Sequence, residues 1–95
     1  MSAYLVFSRI RVLDDTSLAR YSSDVPATMD NFDAQVLAAY GEQVMLEGAA
    51  NQGTVILQFG DMAAAKRWYD SPAYQAARKH RVLGAEYTCV LVQGV

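Results

Sequence analysis

The stretch TVILQFGDMAAAKRWYDSPAYQ, Thr54 to Gln75, decides the architecture, because a strand, a helix start and a helix restart follow one another within it. Thr54 to Phe59 is a short, nearly unbroken β-favouring run. Asp61 is placed to cap a helix running through Asp70. Ser71-Pro72 then restarts a helix, since serine is a good N-cap and proline is favoured at the first helical position. The second helix is therefore predicted in two pieces, ending near Leu83 or Gly84.

Working upstream, Gln35 to Tyr40 and Val44 to Glu47 read as one strand interrupted by a bulge near Gly41, and the loop Gly48 to Gly53 joins it as a hairpin to Thr54. Tyr4 to Leu13 alternates and is rich in β-branched and aromatic residues, which predicts the first strand, closed by Asp14-Asp15. Between them Leu18, Tyr21, Val25, Met29 and Phe32 recur at steps of three and four, the stripe of an amphipathic helix capped by Thr16 or Ser17. Pro26 interrupts that stripe and predicts a kink or two short helices, with Asp24 capping the second. Downstream, Glu86 to Gln93 supplies the last strand.

The order strand, helix, strand, strand, helix, strand is the split βαβ arrangement of the ferredoxin-like α+β fold: a four-stranded antiparallel sheet with its helices on one face. Its 95 residues are expected to form a single domain, 1–95, with no linker or repeat. Hydrophobic residues make up 53% of the chain and charged residues 19%, too apolar for disorder and rich for a domain with so much surface per volume. With eight Lys and Arg against ten Asp and Glu, no positive field exists to gather phosphate backbones, so no nucleic-acid partner is expected. No apolar run approaches the roughly 20 residues that span a bilayer, so no membrane partner is expected either. A single cysteine, Cys89, excludes an internal disulfide and points to a reducing compartment, the cytoplasm. Cys89 itself is expected to be a small buried residue of the last strand.

Along the first strand Tyr4, Val6, Ile10 and Val12 share one face and Leu5, Phe7, Arg9 and Arg11 the other, and neither is purely polar. The third and fourth strands are two-faced in the same way. One helical layer covers one face, and each large apolar side chain left on the other forfeits about 1.5 to 3 kcal/mol. A homodimer packed sheet to sheet follows as the expectation, with Arg9 and Arg11 pointing into the space between the sheets and Glu47 as their partner.

Tyr21, Glu47-Gly48, Phe59, the run Trp68-Tyr69-Asp70-Ser71-Pro72-Ala73-Tyr74-Gln75, Arg81 and Gly94 together resemble the domain-of-unknown-function family 1330, within the dimeric α/β-barrel superfamily. The resemblance spans essentially the whole chain, and Trp-Tyr-Asp-Ser-Pro-x-Tyr is its specific part. It implies a ferredoxin-like protomer and a dimer with facing sheets, the dimeric α/β barrel, and no established activity. The family usually carries a glycine pair after the first helix, where this chain has Phe32-Asp33-Ala34. The wider superfamily includes cofactor-free monooxygenases, muconolactone isomerases, haem peroxidases and ligand-sensing domains, so the site has to be argued from residues.

Tyr74, Ala77, Arg78 and Arg81 fall at helical steps, which puts a phenol and a guanidinium on one face. Read as a site, Arg9 and Arg81 hold a carboxylate or enolate, Glu47, Tyr74 or His80 moves a proton, and Trp68 and Tyr69 form apolar walls. Read as architecture, Trp68 and Tyr69 are core, Arg78 to Arg81 complement a helix C-terminus, Glu47 serves a hairpin and His80 lies on a solvated helix face. Ser71 is accounted for as a cap. No cofactor is expected: the chain lacks a phosphate-cradling glycine loop, His80 stands among Arg78, Lys79 and Arg81 where haem ligation is disfavoured, and Cys89 with His80 is too small a donor set for zinc. Two functions remain open, a cofactor-independent enzyme moving a proton on a small anionic or aromatic metabolite, and a non-catalytic dimeric ligand-binding or stress-related module.

Overall fold

In the computed structural model, which describes residues 1–95, the chain runs β1 (Ala3–Val12), α1 (Asp15–Thr28), β2 (Gln35–Ala39), β3 (Gly53–Phe59), α2 (Met62–Asp70), α3 (Pro72–Gly84) and β4 (Ala85–Gln93). The strands form one antiparallel sheet in the order β2-β3-β1-β4. This is the ferredoxin-like α+β fold expected from the order of elements.

The expected helix signals are used. The Asp61 carboxylate accepts from the Ala64 N–H at 2.7 Å and the Ser71 hydroxyl from the Tyr74 N–H at 3.2 Å. Ser71 is extended and separates α2 from α3, with Pro72 opening the second piece. The first helix departs from expectation. It is continuous through Asp24, which pairs with Arg20 at 3.0 Å instead of capping, and Asp14 occupies the N-cap position. Pro26 falls in the last turn, so it removes one hydrogen bond where the helix is already ending and splits nothing.

The core lies between the helices and one sheet face. Leu5 and Phe7 of β1 and Leu57 and Phe59 of β3 meet Trp68 of α2 and Tyr74 of α3, with Leu18 and Tyr21 of α1 closing the layer. Trp68 is wholly buried, with its ring centroid 4.1 Å from that of Tyr74 and 5.7 Å from that of Phe59. Its indole N–H donates to the Thr28 hydroxyl at 3.1 Å, which donates in turn to the Val25 carbonyl, so the two buried polar groups are satisfied. Gly84 lets α3 touch α1: a Cβ there would lie 2.6 Å from the backbone nitrogen of Leu18.

Two expectations are overturned. The face left bare by the helices is not the one carrying Arg9 with Leu5 and Phe7. Cross-strand rows Leu57–Leu5–Leu91, Val55–Phe7–Cys89 and Gly53–Arg9–Tyr87 face the helices, and Thr54–Ser8–Thr88, Ile56–Val6–Val90 and Gln58–Tyr4–Val92 form the bare face. A register shift between Arg9 and Arg11 then turns Arg11 to the opposite face, where it pairs with Glu86 at 3.0 Å and not with Glu47. The second strand also ends early. Tyr40 takes a left-handed φ of 57°, which terminates β2, and residues 41–52 form an exposed loop containing Val44, Met45, Leu46 and Glu47.

Candidate functional site

α1 does not seal the sheet beneath it. A cavity of about 350 Å3 opens between α1 and β1 to β3, lined by Phe7, Tyr21, Val36, Tyr40, Val55 and Trp68 among others. α1 closely approaches α3 at Gly84, and Val36 and Ala39 of β2 with Val55 and Leu57 of β3 form the sheet wall of the cavity.

Two phenol pairs supply its polarity. Tyr21 and Tyr74 share a hydroxyl hydrogen bond of 3.0 Å, and Tyr40 and Tyr87 one of 2.6 Å. Tyr21, Tyr40 and Tyr87 border the cavity, and Tyr74 stands behind Tyr21 in the core. Burial pushes the Tyr21, Tyr40 and Tyr74 phenols above their ordinary value of 10.0, and their pairing adds to the shift for Tyr21 and Tyr40. They are neutral at physiological pH. In each pair one hydroxyl proton is spent within the pair and the other is left for an acceptor.

Cations stand at the sheet end beside these phenols. The Arg9 guanidinium carbon lies 4.6 Å from the Tyr40 ring centroid, and one of its nitrogens donates to the Gln52 carbonyl at 3.0 Å. Arg81 is 6% exposed and packs among three rings, 5.1 Å from Tyr87, 5.6 Å from Phe7 and 5.9 Å from Tyr21. The left-handed backbone of Tyr40 costs about 1–3 kcal/mol in a non-glycine residue, and it is this conformation that sets the ring between Arg9 and Tyr87.

Of the residues singled out in the sequence, Trp68, Tyr74 and Arg81 are brought to one locality around Phe7 and Tyr21, and Tyr69 packs on Tyr74 with centroids 5.4 Å apart. Arg9 joins through Tyr40. Glu47 lies in the exposed 41–52 loop and His80 is half-buried on α3; neither borders the cavity. Cys89 is exposed at residue level and not buried as expected, although its thiol is desolvated enough to be pushed above its ordinary value. Tyr40 and Tyr87 were not singled out as site residues. They are 47 positions apart and meet only because β2 and β4 place their ends on the same side of the sheet. No group of three or more His, Cys, Asp and Glu comes together, and no helix is long and apolar enough to cross a membrane.

Sheet order and one-sided helical layer define a ferredoxin-like α+β protein, and solved structures show the same fold. A protein of unknown function, RPA0582 from Rhodopseudomonas palustris, superposes with a TM-score of 0.78 at 16% identity, covering 99% of this chain and 82% of that one. A dimeric ferredoxin-like protein of unknown function from Bacteroides fragilis gives 0.65 at 14% identity, covering 98% and 96%. SnoaB, a cofactor-independent oxygenase from Streptomyces nogalater, gives 0.57 at 9% identity, covering 99% and 91%. No curated protein matches the sequence. The family model described as Domain of unknown function (DUF1330) matches residues 2–95, and the chain belongs to that family.

Proposed function

We propose that this protein is a homodimer, packed sheet to sheet as a dimeric α/β barrel, in which each protomer holds a small apolar, largely aromatic molecule beneath α1. The cavity carries the reading. Its volume of about 350 Å3 suits a small ligand, its walls are aromatic and aliphatic, and its polar groups are phenols and the Ser22 hydroxyl, suited to a carbonyl or hydroxyl on an apolar body. Tyr74 is the one expected proton carrier coupled to the cavity, through Tyr21. Phenols with raised pKa values donate hydrogen bonds more readily than they abstract protons, which favours binding over base catalysis. Cofactor-independent chemistry, as in SnoaB, is the second reading, supported by the shared fold.

Two features support the dimer. Ile56, Val6 and Val90 form one apolar row across the bare face, and Val90 is 55% exposed in the protomer. At about 25 cal/mol per Å2 this row contributes only a few kcal/mol against an association cost of about 4–15 kcal/mol. The exposed Val44, Met45 and Leu46 beyond β2 therefore belong to the surface the dimer buries. Dimeric relatives of the same fold, such as the Bacteroides fragilis protein, agree with this arrangement.

The ligand reading is tested with 1-indanone as probe, following the indole N–H resonance of Trp68, the chain's one tryptophan. A saturable shift that Val55→Phe abolishes is expected, because the larger ring fills the cavity. A resonance that does not move, or moves equally in Val55→Phe, refutes it. For the dimer, light scattering is expected to give twice the chain mass, and Val90→Lys one chain mass with the circular dichroism of the fold retained. A wild-type monomer at micromolar concentration refutes it.

A further inference from the structure

On the far side of Tyr87 from the apolar cavity lies a second cleft, of about 480 Å3, between α3 and β4. Arg78 and Arg81, one turn apart on α3, both line it, with Tyr69, Tyr87 and Cys89. Arg81 is more than nine-tenths buried, and its Nε has no hydrogen-bond partner. The Nε of Arg78 is buried and equally without an acceptor. The ion pairs of the structure are Arg11 with Glu86, Arg20 with Asp24 and Lys66 with Asp70, so neither arginine has a carboxylate. Glu86 borders the cleft and is already committed to Arg11.

Structural roles account for part of this arrangement. Phe7, Tyr21 and Tyr87 stabilise Arg81 through their ring faces, and its place in the last turn of α3 suits the helix dipole. Both effects act on the charge as a whole. Neither gives an acceptor to the N–H groups in the guanidinium plane, and a buried ionised group without such acceptors is costly. A second guanidinium three residues away adds repulsion. The Cys89 thiol, raised by burial, is neutral and does not balance the charge.

We propose that the α3–β4 cleft is an oxyanion site, in which Arg78 and Arg81 together hold the carboxylate or phosphoryl group of a small metabolite. Two guanidinium forks supply directed donors to an oxyanion, and the anion offsets the repulsion between the arginines. Tyr69 and Tyr87 wall the site, and Leu13, Val82 and Ala85 leave room for an apolar body behind the anion. The site is separate from the cavity under α1, and the inference does not depend on that cavity being filled.

The experiment titrates the full-length protein, at constant ionic strength, with sodium benzoate, inorganic phosphate and the neutral analogue benzamide, following the arginine Nε–H resonances. Saturable shifts at Arg78 and Arg81 with benzoate or phosphate, and none with benzamide, are expected. A response to benzoate alone assigns the site to carboxylates, and a response to phosphate alone to phosphoryl groups. Arg78→Gln keeps the buried Arg81 and so tests the site without emptying the core; it is expected to weaken binding about tenfold or more. Slower alkylation of Cys89 in the presence of the anion is a second readout. The proposal is overturned if neither anion saturates Arg78 and Arg81 by tens of millimolar, if benzamide acts equally, or if Arg78→Gln binds as tightly as wild type.

Discussion

The Tyr21–Tyr74 pair offers a quantitative test of how the core joins the cavity. Tyr74 has no exposed surface and its hydroxyl bonds Tyr21 at 3.0 Å, with Tyr21 bordering the open cavity. Tyr21→Phe leaves the Tyr74 hydroxyl buried and unpartnered, a loss of about 2 kcal/mol within the ~1–3 kcal/mol range for such groups. Tyr74→Phe leaves the other hydroxyl beside the cavity, where water can replace the lost partner, and is expected to cost about 1 kcal/mol or less. Removing both hydroxyls leaves two aromatic rings of nearly unchanged shape, so the double variant is expected to cost about 1 kcal/mol or less, giving a coupling of about 2 kcal/mol. Urea unfolding followed by Trp68 fluorescence measures all four proteins. Protein concentration must be held fixed because a dimer's stability depends on it. If the single losses add to the double within ~0.5 kcal/mol, the pair is not a buried coupled unit and the reasoning fails.

Gly84→Ala is expected to lower stability by about 1–3 kcal/mol, toward the upper end because the new methyl meets backbone atoms of Leu18; a variant melting as wild type would show that α1 and α3 part freely. Stability is also expected to fall in alkali. Tyr21, Tyr40 and Tyr74 have folded values raised above 10.0, so the native state holds their protons more tightly than the unfolded chain. Their contribution is complete below about pH 10 and is lost as pH rises from there toward the folded values. Phenolate absorbance should accordingly keep part of its amplitude until the fold is lost, and full ionisation of all tyrosines with intact circular dichroism would contradict this.

The candidate site was legible where it lay within one helical stretch. Helical spacing places Tyr74 and Arg81 of α3 on one face, whereas Trp68 and Tyr69 belong to α2 and meet them through the break at Ser71. Glu47 misled because Val44 to Glu47 has a strand's composition. The left-handed turn at Tyr40 ends the strand before that run can pair within its own chain. His80 lies on α3 away from the cavity that Trp68 and Tyr21 border, and its neighbours in sequence give no sign of that.

The two faces of β1 show the division between sequence and structure. Alternation sorts Tyr4, Val6 and Ser8 from Leu5, Phe7 and Arg9 without any tertiary information, because a strand's side chains must point to opposite sides. Both sets are apolar enough to be buried, so alternation cannot say which one the helices cover. Trp68, packing edge-on to Phe7 at 6.5 Å, makes that choice, and it reverses the assignment of Arg9. Element order, the caps at Asp61 and Ser71 and the surplus of apolar face were determined by local chemistry. The cavity, the paired phenols and the arginines without carboxylates came only with tertiary structure, because each depends on residues that the sheet order β2-β3-β1-β4 brings together from distant parts of the chain.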